Sequence, residues 1–224
     1  MINYLYILPE IILTGALSII IIIDLFLPSK NKYLSYYLIQ ILLFSSIYII
    51  YSNIQFLSSN VSPLYDTKAF SNFFKIFILF LLVIIFYYTY YFLKKFNLYQ
   101  TEYFVISLFG VLGMMIMISA NHLLLLYLGI ELLSLSLYSI IAFNKKSIYS
   151  SEAAVKYYIL GAMSSGFLLF GISLIYGLTG SLFYNEIFQQ ISLLNLSDIN
   201  TDIKVIGLIF SLTFIFISLA FKFG

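Results

Sequence analysis

The chain of 224 residues contains no cysteine, no tryptophan and no arginine, and it has one histidine, His122. Without cysteine, disulfides and thiolate sites for metals or iron–sulfur clusters are excluded, and one histidine offers little to a transition metal. Charged residues make up 9% of the chain, against about 25% in a soluble domain. The net charge of +2 is too small to indicate nucleic-acid binding.

What the chain has in abundance is apolar sequence, with 62% hydrophobic residues and a mean hydropathy of +1.05. A helical membrane crossing needs about 20 apolar residues, and seven segments meet this length. We therefore predict an all-α integral membrane protein, a polytopic helix bundle with about seven transmembrane helices. The segments run from about 4–27, 33–56, 70–93, 103–120, 123–143, 153–178 and 203–224.

The loops differ in their lysine content, and this difference predicts an orientation. Loops after segments one, three and five carry six lysines, whereas those after segments two, four and six carry only Lys68 and Lys204. The N-terminus is therefore predicted on the side opposite the matrix or cytoplasm. Residues 182–194 are predicted to be either a short amphipathic helix at the interface or an ordinary connecting loop.

Glu131 lies in the middle of an otherwise uncharged apolar run, residues 123–138. A charge at the bilayer centre costs about 2.5–3.5 kcal/mol on insertion scales, so such residues usually have a function. Two interpretations remain open: a carrier of protons or ions, or a carboxylate that only joins helices by hydrogen bonding.

Two lysines also attract attention. Lys222 follows the apolar run 205–221, where it is either a second functional charge or a helix-end lysine that snorkels. Lys156 follows Glu152 by four residues, an order that favours a surface ion pair. His122 is expected to be a capping or hydrogen-bonding residue. The small residues of segment six, Gly161, Ser165 and Gly166, are expected to allow close packing of helices. The other charges near segment ends, Glu10, Asp24 and Glu102, are expected to be interfacial and to have no special role.

Three stretches, 119–138, 150–166 and 170–177, closely resemble NADH dehydrogenase subunit 2, an antiporter-like membrane subunit of respiratory complex I. The resemblance extends to Leu8-Pro9-Glu10 and to 219–222, and so covers the whole chain. It implies a bundle that normally has fourteen membrane helices with two inverted five-helix repeats. Residues from about 1–100 would then form three N-terminal helices, and those from about 101–224 an incomplete first repeat.

The same resemblance implies roles for particular residues. By matched motif, Glu131 and Lys222 form the carboxylate–lysine pair of the first half-channel, and Lys156 is a lysine of the same polar layer. These residues would take part in proton translocation. No cofactor is expected on this chain, since flavin, iron–sulfur clusters and quinone would be bound elsewhere in the complex.

The chain differs from the family in stopping at Gly224, about halfway along the usual subunit. We expect a second polypeptide to carry the C-terminal half, and the alternative is a fragment of a longer chain. Other membrane-arm subunits and lipids are the further expected partners. We expect a mitochondrial inner membrane, with the N-terminus on the intermembrane-space side, and heavy use of Ile, Phe, Tyr, Asn and Lys fits an AT-rich genome such as many organellar ones. The alternative is a bacterial inner membrane. The rival functions are a cation/proton antiporter subunit and a structural subunit with a polar layer that does not pump.

Overall fold

The computed structural model describes residues 7–27, 33–52, 64–65, 68–96, 101–193 and 203–223. Within these ranges the chain forms eight helices. They are α1 (Leu8–Phe26), α2 (Tyr33–Ser52), α3 (Ala69–Lys95), α4 (Thr101–Ser119), α5 (Leu123–Ile141), α6 (Ile148–Thr179), α7 (Tyr184–Ser192) and α8 (Ile203–Phe223).

All of these helices except α7 are long and apolar enough to cross a membrane, which makes seven candidate spans in the described part of the chain. The predicted fold class is confirmed. The predicted ends agree with the observed ones to within about five residues, the expected error of periodicity arguments. Of the two alternatives for the loop after segment six, the short helix is the one found.

The helices share two apolar clusters. The larger one is built from the inward faces of α1, α2, α3 and α4, and includes Leu13, Leu43, Leu79 and Met115, each fully buried. The smaller one joins α5 and α6 around Ile130, Leu168 and Ile172, with Ile215 of α8 packed against it. Helix α4 therefore links the first three helices to α5, the helix that carries Glu131.

The α4–α5 contact is a close approach of two backbones. A Cβ atom placed on Gly113 would lie 2.6 Å from the carbonyl oxygen of Gly129. One placed on Gly129 would lie 2.9 Å from the carbonyl oxygen of Gly113. Only glycine fits at these positions, because small residues are what allow helix backbones to approach in a membrane. The contact fixes the position of α5 relative to α4 at Gly129, two residues before Glu131.

The α6–α8 contact combines a glycine with paired serines. A Cβ atom on Gly171 would lie 2.9 Å from the carbonyl oxygen of Ser211. Further along, Ser164 Oγ donates to the Ser218 carbonyl at 2.7 Å, and Ser218 Oγ donates to the Ser164 carbonyl at 2.7 Å. Ser211, Ser218 and Lys222 follow one another at spacings of seven and four, so they lie on one face of α8.

Three connecting loops meet at the membrane face where α1 begins. Isolated antiparallel bridges join Tyr65 to Ala120 and His122 to Phe183. The amide of Asn121 donates to the Leu64 carbonyl at 3.0 Å, and that of Leu123 to the Leu182 carbonyl at 3.0 Å. We call these segments, 64–65, 120–123 and 182–183, the loop ladder. It holds residues 120–123, the turn of the α4–α5 hairpin, between segments 64–65 and 182–183.

Candidate functional site

Glu131 occupies the middle of α5, about 12 Å along the axis from the start of the helix. Its side chain is 26% exposed. Ser165 Oγ of α6 donates a hydrogen bond to Glu131 Oε2 at 2.6 Å. Lys222 Nζ of α8 lies 3.3 Å from the same oxygen. The Glu131 carboxylate therefore has two partners, each from a different helix.

Lys222 has a second acceptor besides Glu131. Its side chain is 10% exposed, and its ammonium donates to Ser134 Oγ at 3.2 Å. Ser134 in turn donates to the Ile130 carbonyl at 2.6 Å. Since Ser134 lies three residues after Glu131, one face of α5 supplies both acceptors. Lys222 is thus a paired charge within the bundle, not a lysine that snorkels to the interface.

Two consecutive serines of α6 determine this arrangement. Ser164 fixes α8 through its reciprocal bonds with Ser218, one turn before Lys222. Ser165 holds the Glu131 carboxylate. From the sequence, Ser165 was expected only to allow close packing, and Ser134, Ser164 and Ser218 were not singled out. Their signal in the sequence is weak, since isolated serines in membrane helices often bond their own backbone.

A cavity of about 370 Å³ lies beside the pair. Ser134, Tyr138, Tyr157 and Lys222 supply the polar part of its lining. Because a water molecule takes up about 30 Å³ in the liquid, the cavity has room for several. Water in this space, next to the Lys222 ammonium, would give a proton a way to reach or leave that group.

Gly161 determines where Tyr138 stands in this cavity. A Cβ atom on Gly161 would lie 1.7 Å from Tyr138 Oη and 2.6 Å from its Cζ. The Tyr138 ring is buried and makes edge-to-face contacts with Tyr157 and Tyr158, at centroid distances of 5.0 Å and 5.7 Å. The absence of a side chain at Gly161 is therefore what admits the tyrosine hydroxyl.

Changing Gly161 to alanine is expected to displace Tyr138 and to lower the free energy of unfolding by about 1–3 kcal/mol, the usual cost of overpacking. Thermal denaturation of the purified protein in detergent would measure this. Gly177→Ala on the same helix is the matched control, because nothing lies within 4 Å of a Cβ atom at that position. Equal denaturation midpoints for the two variants would contradict the proposed role of Gly161.

Lys156 is not brought to the pair. Its ammonium lies 2.6 Å from Glu152 Oε1, and the two side chains are 71% and 55% exposed. Lys156 and Ser165 are nine residues apart on α6, which places them on opposite faces of the helix. The surface ion pair expected from the i, i+4 spacing is present, and a role for Lys156 in proton translocation stays a prediction.

His122 is the N-cap of α5, as expected, and its Nδ1 accepts a hydrogen bond from the Leu124 amide at 3.2 Å.

Glu10, in contrast, was expected at the interface but is 4% exposed. It pairs with Lys75 of α3, a residue that the sequence analysis did not single out. The available signal was a lysine inside a predicted span. No group of three or more histidines and carboxylates that could hold a metal occurs among the described residues.

Residues 120–224 match the family model described as NADH:quinone oxidoreductase/Mrp antiporter, transmembrane. This stretch contains Glu131, Lys156 and Lys222. Among relatives, subunit N of NADH-quinone oxidoreductase from Ruthia magnifica is 42% identical over 97% of this chain. The same subunit from Thioalkalivibrio sulfidiphilus is 39% identical over 99% of it. Both relatives are named subunit N, and neither is named subunit 2.

Two solved structures that resemble the chain are membrane respiratory complexes. Respiratory complex I from Thermus thermophilus with bound aureothin aligns over 96% of this chain with a TM-score of 0.69 and 22% identity. An archaeal membrane-bound sulfane sulfur reductase aligns over 97% with a TM-score of 0.66 and 23% identity. At these sequence identities, the likeness shows that the chain shares the fold of these proteins. The chain spans about 44% of the length of the Ruthia relative and about 43% of the Thermus chain.

Proposed function

We propose that this chain carries part of a proton path in the membrane arm of a respiratory NADH:quinone oxidoreductase, as the N-terminal half of an antiporter-like subunit. The observation that carries the proposal is the contact between Lys222 Nζ and Glu131 Oε2 inside the bundle, 3.3 Å long and next to a cavity with room for water. Relatives named subunit N of the enzyme support it.

The pair is suited to control a proton because the attraction between its charges depends on their separation and on the low dielectric around them. Moving Lys222 away from Glu131 would raise the free energy of both charges. Release of a proton from the ammonium into water in the cavity would remove the unpaired positive charge and would leave the Glu131 carboxylate with Ser165 as a donor. A change of about 1.4 kcal/mol shifts such an equilibrium tenfold, so the separation of the two charges would control how far the transfer proceeds.

Redox chemistry is assigned to other subunits, because a chain without cysteine has no thiolates to hold iron–sulfur clusters. Lys156 is proposed as a further lysine of the path, supported by its motif only. The helices and lysines of the path that lie outside these 224 residues would come from a second polypeptide or from the rest of a longer chain. The narrower assignment to subunit 2 rests on the resemblance of 119–138, 150–166 and 170–177 to that family.

For location, the chain has the spans of a multi-pass membrane protein. The bacterial relatives favour a bacterial inner membrane, and the amino-acid usage favours a mitochondrial one. In either membrane, the lysine-poor loops and the N-terminus are proposed to face away from the matrix or cytoplasm.

One other function has an observation in its favour. The description of the matching family includes Mrp antiporters as well as NADH:quinone oxidoreductases, so a subunit of a cation/proton antiporter would contain a similar site. Association with the subunits of an NADH-oxidising complex on purification would support the complex I proposal. Sodium-coupled transport without NADH oxidation would support the antiporter.

Glu131→Gln in the assembled, reconstituted complex is expected to lower NADH-driven proton transport about tenfold, the effect of about 1.4 kcal/mol. Glutamine preserves the shape and still accepts a hydrogen bond from Ser165, but it removes the charge opposite Lys222. Transport would be followed with a pH-sensitive dye and compared with the rate of NADH oxidation.

Glu102→Gln is the control, since Glu102 is an exposed carboxylate at the start of α4. This change is expected to leave the ratio of protons to NADH unchanged. If Glu131→Gln also leaves that ratio and the turnover unchanged, the pair serves only to hold helices together and the transport proposal fails.

A further inference from the structure

A second buried ion pair lies outside the proposed proton path. Lys75 Nζ of α3 donates to Glu10 Oε1 of α1 at 2.6 Å, and the two side chains are only 1% and 5% exposed. Glu10 is in the first turn of α1, where the partial positive charge of the helix N-terminus favours a carboxylate. A pair so fully desolvated is costly unless its geometry is good, so its presence calls for an explanation.

The pair is covered by Tyr65, which belongs to the loop ladder. Lys75 Nζ lies 5.1 Å from the centroid of the Tyr65 ring, a distance at which a cation is attracted to an aromatic face. Tyr65 is itself 4% exposed. Burial and the neighbouring Glu10 carboxylate raise the pKa of the Tyr65 phenol, so the ring stays neutral beside the pair.

Among the described residues, the buried side chains that continue from this pair toward the middle of the membrane on the same helix faces are apolar, and Thr14, one turn after Glu10, is exposed and bonds the Glu10 carbonyl. Leu13 follows Glu10 by three residues and Leu79 follows Lys75 by four, and both are fully buried in the larger apolar cluster. A proton path through α1 and α3 would have to cross this dry layer. The arrangement therefore favours a static role at the membrane face over a second transfer site.

The contacts of Tyr65 lead instead to α5. Tyr65 is bridged to Ala120, and the Leu64 carbonyl accepts from the Asn121 amide at 3.0 Å. The next residue, His122, caps α5, and α5 has Glu131 nine residues after the cap. An unbroken series of contacts thus joins the Lys75 ammonium to the start of the helix that holds the functional carboxylate.

We propose that Glu10 and Lys75 are positioning residues. Their pair anchors the Tyr65 ring, Tyr65 holds the α4–α5 hairpin through the loop ladder, and the hairpin sets the depth at which α5 presents Glu131. The anchoring of the hairpin is independent of what Glu131 does, and only the consequence for transport rests on the proposed function.

The test uses Tyr65→Leu and Tyr65→Phe in the assembled complex. Phenylalanine retains the aromatic face over Lys75, whereas leucine removes it and leaves the ion pair intact. Hydrogen exchange of the amides of 119–124, followed by mass spectrometry, reports on the hairpin. Tyr65→Leu is expected to speed this exchange about tenfold, the value of one desolvated cation–aromatic contact. Tyr65→Phe, which loses only the hydroxyl next to Glu10, is expected to speed it much less than Tyr65→Leu does.

The double variant Glu10→Gln/Lys75→Met tests the pair itself. Removing both charges avoids an unpaired buried ion, so the complex is expected to assemble while the 119–124 amides again exchange about tenfold faster. Asp24→Asn/Ser35→Ala is the control, since it removes a side-chain contact between α1 and α2 at the opposite membrane face. It should leave the hairpin amides unchanged.

Wild-type exchange of the hairpin in Tyr65→Leu would overturn the proposal, whether or not the double variant assembles. Faster exchange combined with a lower proton-to-NADH ratio would support positioning of Glu131. If Glu131→Gln leaves transport intact while Tyr65→Leu loosens the hairpin, the anchor stands and the proposed function falls, so the two failures are distinguishable.

Discussion

Replacing Lys222 by methionine is expected to reduce NADH-driven proton transport to the passive leak of the membrane and to destabilise the protein. The variant removes the ammonium that would carry the proton. It also leaves Glu131 with Ser165 as its only donor in the described part of the site. Breaking a buried pair costs about 3–5 kcal/mol, and the lower end of this range applies because Glu131 is 26% exposed.

The double variant Lys222→Met/Glu131→Gln separates the two effects. With both charges gone, no unpaired ion remains, so stability should return to within about 1 kcal/mol of wild type. Transport should stay at the leak level, because neither charged group of the pair remains. Thermal denaturation in detergent would measure stability, and a pH-sensitive dye in proteoliposomes would measure transport.

Lys204→Met is the control, since Lys204 is an exposed lysine at the other end of α8. This variant is expected to transport protons at the wild-type ratio to NADH oxidation. Transport by Lys222→Met at that same ratio would exclude Lys222 as a proton carrier, whatever its effect on stability.

Changing Gly129 to valine is expected to give the largest loss of stability at any helix contact described above, about 3 kcal/mol or more. The first added atom would already meet the Gly113 carbonyl oxygen at 2.9 Å and Met117 Cγ at 2.6 Å. Because one of these is a backbone atom, no side-chain rotation can relieve the clash, and α4 and α5 must separate.

The consequence of Gly129→Val would be a low yield of assembled protein and a lower denaturation midpoint. Gly129→Ala should show a smaller effect of the same kind. Gly15→Ala and Gly166→Ala are matched controls, since a Cβ atom at either position has no neighbour within 4 Å. A wild-type midpoint for Gly129→Val would mean that the two helices do not pack through their backbones at this point.

The helices and the central acid could be predicted from the sequence because both are local signals. An apolar run of about 20 residues has few alternatives in a membrane, and Glu131 is conspicuous within such a run. Lys222 could be singled out only in part, since a lysine after an apolar stretch is equally typical of a helix end. The family resemblance implied that Glu131 is its partner, but the residues alone did not, because the contact depends on α5 and α8 lying side by side.

Other features could not be predicted because they depend on which helices meet. Glu10 and Lys75 are 65 residues apart, and neither residue alone indicates which helix holds its partner. The loop ladder is made of main-chain hydrogen bonds between segments such as 64–65 and 120–123, and main-chain bonds leave no periodic pattern in the side chains. The serines of the site are common residue types, and their partners lie on other helices.

The adjacent serines of α6 have one further consequence. Consecutive residues of a helix point about 100° apart, so Ser164 faces α8 and Ser165 faces α5 from a single helical turn. The spacing between the carboxylate and the lysine is therefore governed by the helix that stands between their own helices. A rotation of α6 about its axis would weaken its bond to Glu131 and its bond to α8 at the same time. Helix α6 would therefore control the distance within the pair although it contributes neither charge.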